Sequence, residues 1–201
     1  MRNNVVAAWL LLCFITGGQH VIAQTSKKNE YNTPNLYAGI EVGSKGVKLS
    51  VIELKKNGQL GNSFFAVKDT SVNTDFISFT QQTFDATLNG LTGLFQTANT
   101  TFNIPSKRIF TVISSGVKIQ AEKEKQNGWV AKLINAFQEK INEPGRKVEI
   151  VDVMMEAKLS HQGIVPASRR YNTFLIDIGS GNSKGGFFPY GNDSYFYLFQ
   201  L

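Results

Sequence analysis

From residue 36 onward the hydrophobic and polar positions first alternate as in strands, and from residue 75 the apolar ones recur at helical spacing. Residues 36–42, 46–54 and 59–67 read as three strands. Lys56, Asn57 and Gly58 join the second to the third, and Asn-Gly between such runs signals a tight hairpin, so an antiparallel meander is expected to open the fold. Phe76, Phe79, Phe84, Leu88, Leu91 and Phe95 then predict a helix over 75–97, capped by Asp75, with the phenylalanine stripe in the core. A strand over 108–113 follows, and a second helix carries Trp129, Leu133, Phe137 and Ile141 on one face and ends before Pro144 and Gly145. Residues 147–152 predict a strand, 154–163 a short helix, 172–178 a strand, and 184–190 with 194–200 a last hairpin around Gly191 and Asn192. The order β-β-β-α-β-α-β-α followed by a hairpin describes an α/β protein.

The segment before residue 36 follows different rules. Arg2, an apolar run from Val5 to Ile15, Gly17 and Gly18, and the exit Val21, Ile22, Ala23, Gln24 have the layout of a secretory signal peptide over 1–24. The run is shorter than the roughly 20 residues a membrane span needs, so no stable span is expected once the signal is cleaved, a retained N-terminal anchor being the competing reading. Leucines precede Cys13, which lacks the small residue that a lipoprotein signal places there. Export to the periplasm or the medium is the expectation, followed by a flexible polar leader over 25–35 that ends at Pro34.

Composition narrows the chemistry. A chain of 201 residues that is 42% hydrophobic and 18% charged can bury a core and is no disordered polyelectrolyte. Its single cysteine lies in the signal segment, so the mature chain has neither disulfides nor a thiolate nucleophile. Of the 21 basic residues only Arg2 falls in that segment, leaving 20 against 15 acidic residues and a mature net charge of +5. These cations are scattered at element ends, as solvated turns require, and no nucleic-acid motif accompanies them.

Two segments carry candidate chemistry: residues 36–48 and 173–184 each place a carboxylate, Glu41 or Asp177, two positions before a glycine turn at the end of an apolar strand. Small residues let a turn bend tightly and bring its N–H groups to an anion, so two such turns face to face can hold a phosphate chain and its metal. A dinucleotide-binding unit needs a helix directly after the glycines, whereas a strand follows each turn here, and no Walker A sequence is present.

Three segments resemble the actin, Hsp70 and sugar-kinase superfamily and, within it, the exopolyphosphatase/guanosine pentaphosphate phosphohydrolase (Ppx/GppA) family. Residues 39–49, Gly-Ile-Glu-Val-Gly-Ser-Lys-Gly-Val-Lys-Leu, are similar to that family's first phosphate turn. Residues 151–163, Val-Asp-Val-Met-Met-Glu-Ala-Lys-Leu-Ser-His-Gln-Gly, resemble its Glu-Glu-Ala-Arg-Leu helix. Residues 175–183, Leu-Ile-Asp-Ile-Gly-Ser-Gly-Asn-Ser, resemble its second phosphate turn. The resemblance implies an actin-like ATPase (ribonuclease H-like) fold, with a first subdomain over 36–171 and the opening of a second over 172–201. It implies that Glu156 stands where a general base activates water. Glu41 and Asp177 would sit beside Mg²⁺. Gly43, Ser44, Lys48, Gly179, Ser180, Gly181, Asn182 and Ser183 would cradle the phosphates of polyphosphate or a nucleotide.

The chain departs from the family pattern at Glu41, Lys45, Met155 and Ser180, where aspartate, asparagine, glutamate and glycine are usual, and Lys48 replaces an arginine without its bidentate fork. Two functions therefore stand side by side. One is an exported, Mg²⁺-dependent hydrolase of a terminal phosphoanhydride, favoured by Glu156 and Asp177. The other is a phosphate- or nucleotide-binding or structural relative without turnover, favoured by the changes at 41, 45 and 180. His161, the one histidine of the mature chain, has no second histidine or cysteine nearby with which to hold a metal and is expected to be structural or exposed, and a serine hydrolase is not expected. Ser114, Ser115 and Gly116 after a strand suggest a loop facing a cleft. An apolar edge over 195–201 normally has to be covered or paired, so the sequence is expected to be an N-terminal fragment or a truncated reading frame, with its oligomeric state open.

Overall fold

The computed structural model describes residues 33–57, 61–180 and 182–200. The signal segment 1–24, the leader through residue 32, Gly58 of the expected hairpin turn and Gly181 of the second glycine turn lie outside the described residues. Among the described residues no helix is long and apolar enough to cross a membrane.

Strand β1, Leu36–Val42, is central in a mixed five-stranded sheet of order β3-β2-β1-β4-β5. It pairs antiparallel with β2, Gly46–Asn57, which pairs antiparallel with β3, Gly61–Asn73. On its other side β1 runs parallel to β4, Ile109–Ile113, which runs parallel to β5, Glu149–Ile150. Alternation sets the burial: Leu36, Ala38, Ile40 and Val42 of β1 and Val47, Leu49 and Val51 of β2 are buried, and Glu41 is carried on the opposite face of β1. The opening meander is as expected, except that β3 runs on past residue 67 to Asn73. Its polar end pairs with the start of β2 after a register shift that leaves Val67 as the extra residue.

Helix α1 spans Gln81–Gln96, so the helix expected from residue 75 starts six residues later. Asp75 and Phe79 both take left-handed backbone conformations, at φ 52° and 47°, on either side of a single 3₁₀ turn. Thr80 is the true cap, its hydroxyl accepting from the Thr83 N–H while Thr83 accepts from the Thr80 N–H. After Gln96 the helix widens into a π turn over Thr97–Thr101.

Helix α2, Ser115–Lys123, had no counterpart in the hydrophobic pattern, because it buries only small residues along with Val117 and Ala121. Helix α3, Asn127–Lys140, buries Val130, Leu133 and Phe137 and half-buries Trp129, and Ile141 just past its end is half-buried too. The strand expected over 147–152 contracts to two residues, since Asp152 leaves the ladder to cap helix α4, Val153–Ile164, by accepting from the Met155 N–H at 2.7 Å. One contiguous hydrophobic cluster runs from Leu36 to Phe137, joining one face of the sheet to α1, α2 and α3, with the Phe95 and Phe137 rings edge to face at 5.7 Å.

The last part forms a separate antiparallel sheet of order β6-β7-β8: Leu175–Ile178, Ser183–Phe187 and Tyr197–Gln200. Helix α4 packs on it through His161, which is fully buried with its ring edge to face against Phe188 at 5.0 Å and Phe196 at 5.8 Å. Its Nε2 donates to the Thr173 carbonyl at 2.9 Å, which fixes the tautomer, because a carbonyl can only accept. His161 is thus placed as a structural residue.

Candidate functional site

The two glycine turns are built alike. In the first the Gly43 N–H donates to the Gly46 carbonyl at 2.8 Å, and in the second the Gly179 N–H donates to the Asn182 carbonyl at 2.9 Å. Glycine is required at 46, where a Cβ would come within 2.5 Å of the Val72 carbonyl oxygen of β3. The first turn is buttressed by the segment that follows β3: the Thr74 N–H donates to the Lys45 carbonyl at 3.1 Å, and Asp75 accepts from both Lys45 Nζ and Ser78 Oγ.

Those two hydrogen bonds, Lys45 first and Ser78 second, hold the Asp75 carboxyl below its ordinary value. The stability this adds is present above the ordinary aspartate range and is lost as pH falls through the lowered folded-state value. Asp75→Asn is therefore expected to lower stability at neutral pH, to change little at pH 2.5 and so to make the acid limb of the profile shallower, as read by urea unfolding between pH 2.5 and 7; an unchanged acid limb would show that the pair is inert.

Both turns open onto a cleft of about 370 Å³ between the two sheets. Glu41, Gly43, Ser44 and Lys48 reach it from β1 and β2, Glu156 from α4, and Asp177, Gly179, Ser180 and Asn182 from the second sheet. Of the residues expected at a phosphate site, Ser183 is the described one that stands apart: it begins β7, paired with Ile178, and does not line the cleft. The segment Ser114 to Gly116 does face the cleft, but as the first turn of α2 and not as a loop.

The residue that sequence reasoning missed is Lys184, only 2% exposed in β7. Its Nζ donates to Asp177 Oδ2 at 2.9 Å and to Glu156 Oε1 at 3.1 Å, and Asn182 Oδ1 lies at 3.4 Å. It is the one charge in a strand otherwise made of glycine, serine and phenylalanine, and its partners are those that a buried lysine requires. Burial works against its charge, but hydrogen bonds to Asp177 and Glu156, reinforced by their charges, outweigh it and hold the ammonium above the ordinary lysine value.

The second Glu156 oxygen accepts from the Ser115 N–H at 2.8 Å, at the start of α2 where the helix dipole favours an anion. Ser115 also ties in the second turn, its hydroxyl accepting from Asn182 Nδ2 at 3.0 Å. Glu41 stands opposite the exposed Lys48 in the β1–β2 ladder. Burial chiefly pushes the Glu41 carboxyl above its ordinary value; Glu156 and Asp177 add to this, while Lys48 and Lys184 oppose it.

The donor set does not fit Mg²⁺. The ion demands near-octahedral oxygen ligation at about 2.0–2.1 Å, whereas of the two expected ligands Asp177 binds the Lys184 ammonium that Glu156 also holds, and burial makes the Glu41 carboxyl harder to ionise. Among the described residues no three acidic, histidine or cysteine side chains lie close enough together to share a metal.

No protein-family model matches this chain, and no curated protein sequence does. Solved structures do match. The chain is similar to a Ppx/GppA family member from Aquifex aeolicus, with a TM-score of 0.57, 15% identity, and coverage of 83% of this chain and 50% of that one. A second structure of the Aquifex aeolicus PPX-GPPA enzyme gives a TM-score of 0.59 and 13% identity over 81% of this chain and 51% of that one. An exopolyphosphatase from Cytophaga hutchinsonii gives a TM-score of 0.56 and 14% identity over 83% and 50%. The architecture is the actin-like ATPase fold, as the resemblance implied, and the chain spans about half the length of the structures it matches.

Proposed function

We propose that the cleft binds the terminal phosphates of inorganic polyphosphate or of a nucleotide, without turnover by this chain alone. The observation that carries this reading is the pair of matched glycine turns facing one cleft. Backbone N–H groups concentrated in such turns make anion-binding concavities. Ser44 and Asn182 supply further polar groups and Lys48 an exposed cation at the rim. Exopolyphosphatases that share the fold lend the substrate class. Against turnover stand the two oxygens of Glu156, each already engaged, one by the Ser115 N–H and the other by Lys184.

Hydrolysis is the second reading, favoured by the carboxylate of Glu156 lining the same cleft as both turns. On that reading Glu156 orients and deprotonates the attacking water. Export of the chain belongs to either reading.

Calorimetric titration of the full chain with tripolyphosphate and with ATP separates the alternatives when run beside a phosphate-release assay. Saturable binding without release is the expected result. Lys48→Ala is expected to weaken binding about tenfold, the loss of one charge-assisted hydrogen bond. Release that disappears in Glu156→Gln would establish hydrolysis, and absence of binding to either ligand would reject a phosphate site.

A further inference from the structure

We infer that the Lys184 ammonium takes the place of a divalent cation between Asp177 and Glu156, so that the cleft receives phosphate without a metal. This rests on the phosphate-binding reading above and concerns how that site is charged.

The geometry is that of a satisfied cation site. A lysine ammonium has three N–H donors, and three acceptors surround this one: Asp177 at 2.9 Å, Glu156 at 3.1 Å and Asn182 at 3.4 Å. All three come from the elements that wall the cleft, namely the helix α4, the end of β6 and the second glycine turn. Asn182 reaches onward to Ser115, whose N–H holds the other oxygen of Glu156, so the ammonium is the hub of a closed polar ring. A divalent ion entering between the same carboxylates would meet a buried like charge fixed by the backbone of β7, with two carboxylate oxygens already occupied. A covalently attached cation also cannot be removed by chelators or diluted away. An ordinary structural ion pair would have no bearing on metal dependence, and the test turns on that difference.

Mn²⁺ alone is titrated into the full chain, with free Mn²⁺ followed by electron paramagnetic resonance. No saturable site is expected, and a site lost in Asp177→Asn would overturn the inference. Tripolyphosphate affinity is then measured in EDTA and in Mg²⁺, allowing for the Mg²⁺ that the ligand itself takes up. Equal affinities are expected, and a loss of about tenfold or more in EDTA overturns the inference while leaving the phosphate site standing. If tripolyphosphate does not bind under either condition, the phosphate reading fails and the Mn²⁺ titration alone decides about Lys184. Lys184→Gln keeps a donor and removes the charge, so its affinity in EDTA is expected to fall about tenfold and to recover in Mg²⁺; unchanged affinity in EDTA counts against the inference. Should that variant not fold, the wild-type titrations still decide.

Discussion

Replacing Lys184 by methionine is expected to lower the stability of the chain by about 3 kcal/mol, the lower end of the range for removing one partner of a buried ion pair. Methionine matches the lysine stem in length, so packing in β7 changes little and the loss is electrostatic. Glu156 and Asp177 would be left as neighbouring carboxylates whose counter-charge is gone. Their side chains are 18% and 35% exposed, so water can take up part of the deficit, which places the effect at the low end. For a chain of this size the midpoint of thermal unfolding should fall by about 6–12 °C. Adding Glu156→Gln and Asp177→Asn to Lys184→Met should restore most of the loss, because a cluster in which all partners are neutral no longer contains an unpaired buried charge. A single variant within about 0.5 kcal/mol of wild type in urea unfolding would mean that the cluster is solvated and weak.

Phe137→Ala is expected to have the other large effect, about 3–5 kcal/mol, through the cavity left behind. Phe137 is fully buried in α3, and its ring meets Phe95 of α1 edge to face. Neighbouring Leu133 is equally buried, and Arg146 stacks over the Phe95 ring at 4.5 Å, so little can collapse into the space. None of these side chains lines the cleft, so the folded fraction of the variant should bind tripolyphosphate as wild type does. Urea unfolding beside a binding titration checks both halves of the expectation. Loss of affinity in the folded variant would show that the core and the site are coupled.

The parts of this fold legible in the sequence are those where local signals agree. Strand β1 coincides with its expected range because strict alternation from Leu36 to Val42 is bounded by Pro34 and Gly43. Periodicity misled at Phe76 and Phe79, which point into the same core as α1 although the backbone turns left-handed at Asp75 and at Phe79 itself, and a hydrophobic pattern does not register backbone hand. Helix α2 escaped because its buried face is mostly serine, glycine and alanine, which packs closely and leaves a weak signal.

At the site, Glu41 and Asp177 were legible from their spacing to glycine and Glu156 from the resemblance of its helix to the family's, and the structure brings them to one cleft. Lys184 was not legible, because a lysine at the start of a strand ordinarily faces solvent. Only the tertiary fold shows that α4 and β6 deliver carboxylates to it.

The large hydrophobic cluster ends at Phe137, and the buried side chains of the last part, Ala157, His161, Val165 and Phe188, lie outside it. What spans the cleft is largely polar, with Ser115 joined to both Glu156 and Asn182. Amide hydrogens of β6 to β8 can therefore exchange through a partial opening that leaves β1, β2 and β4 closed. The two walls of the cleft then differ in how often they breathe, and an anion gripping both glycine turns would be felt first as slower deuterium uptake in the second sheet.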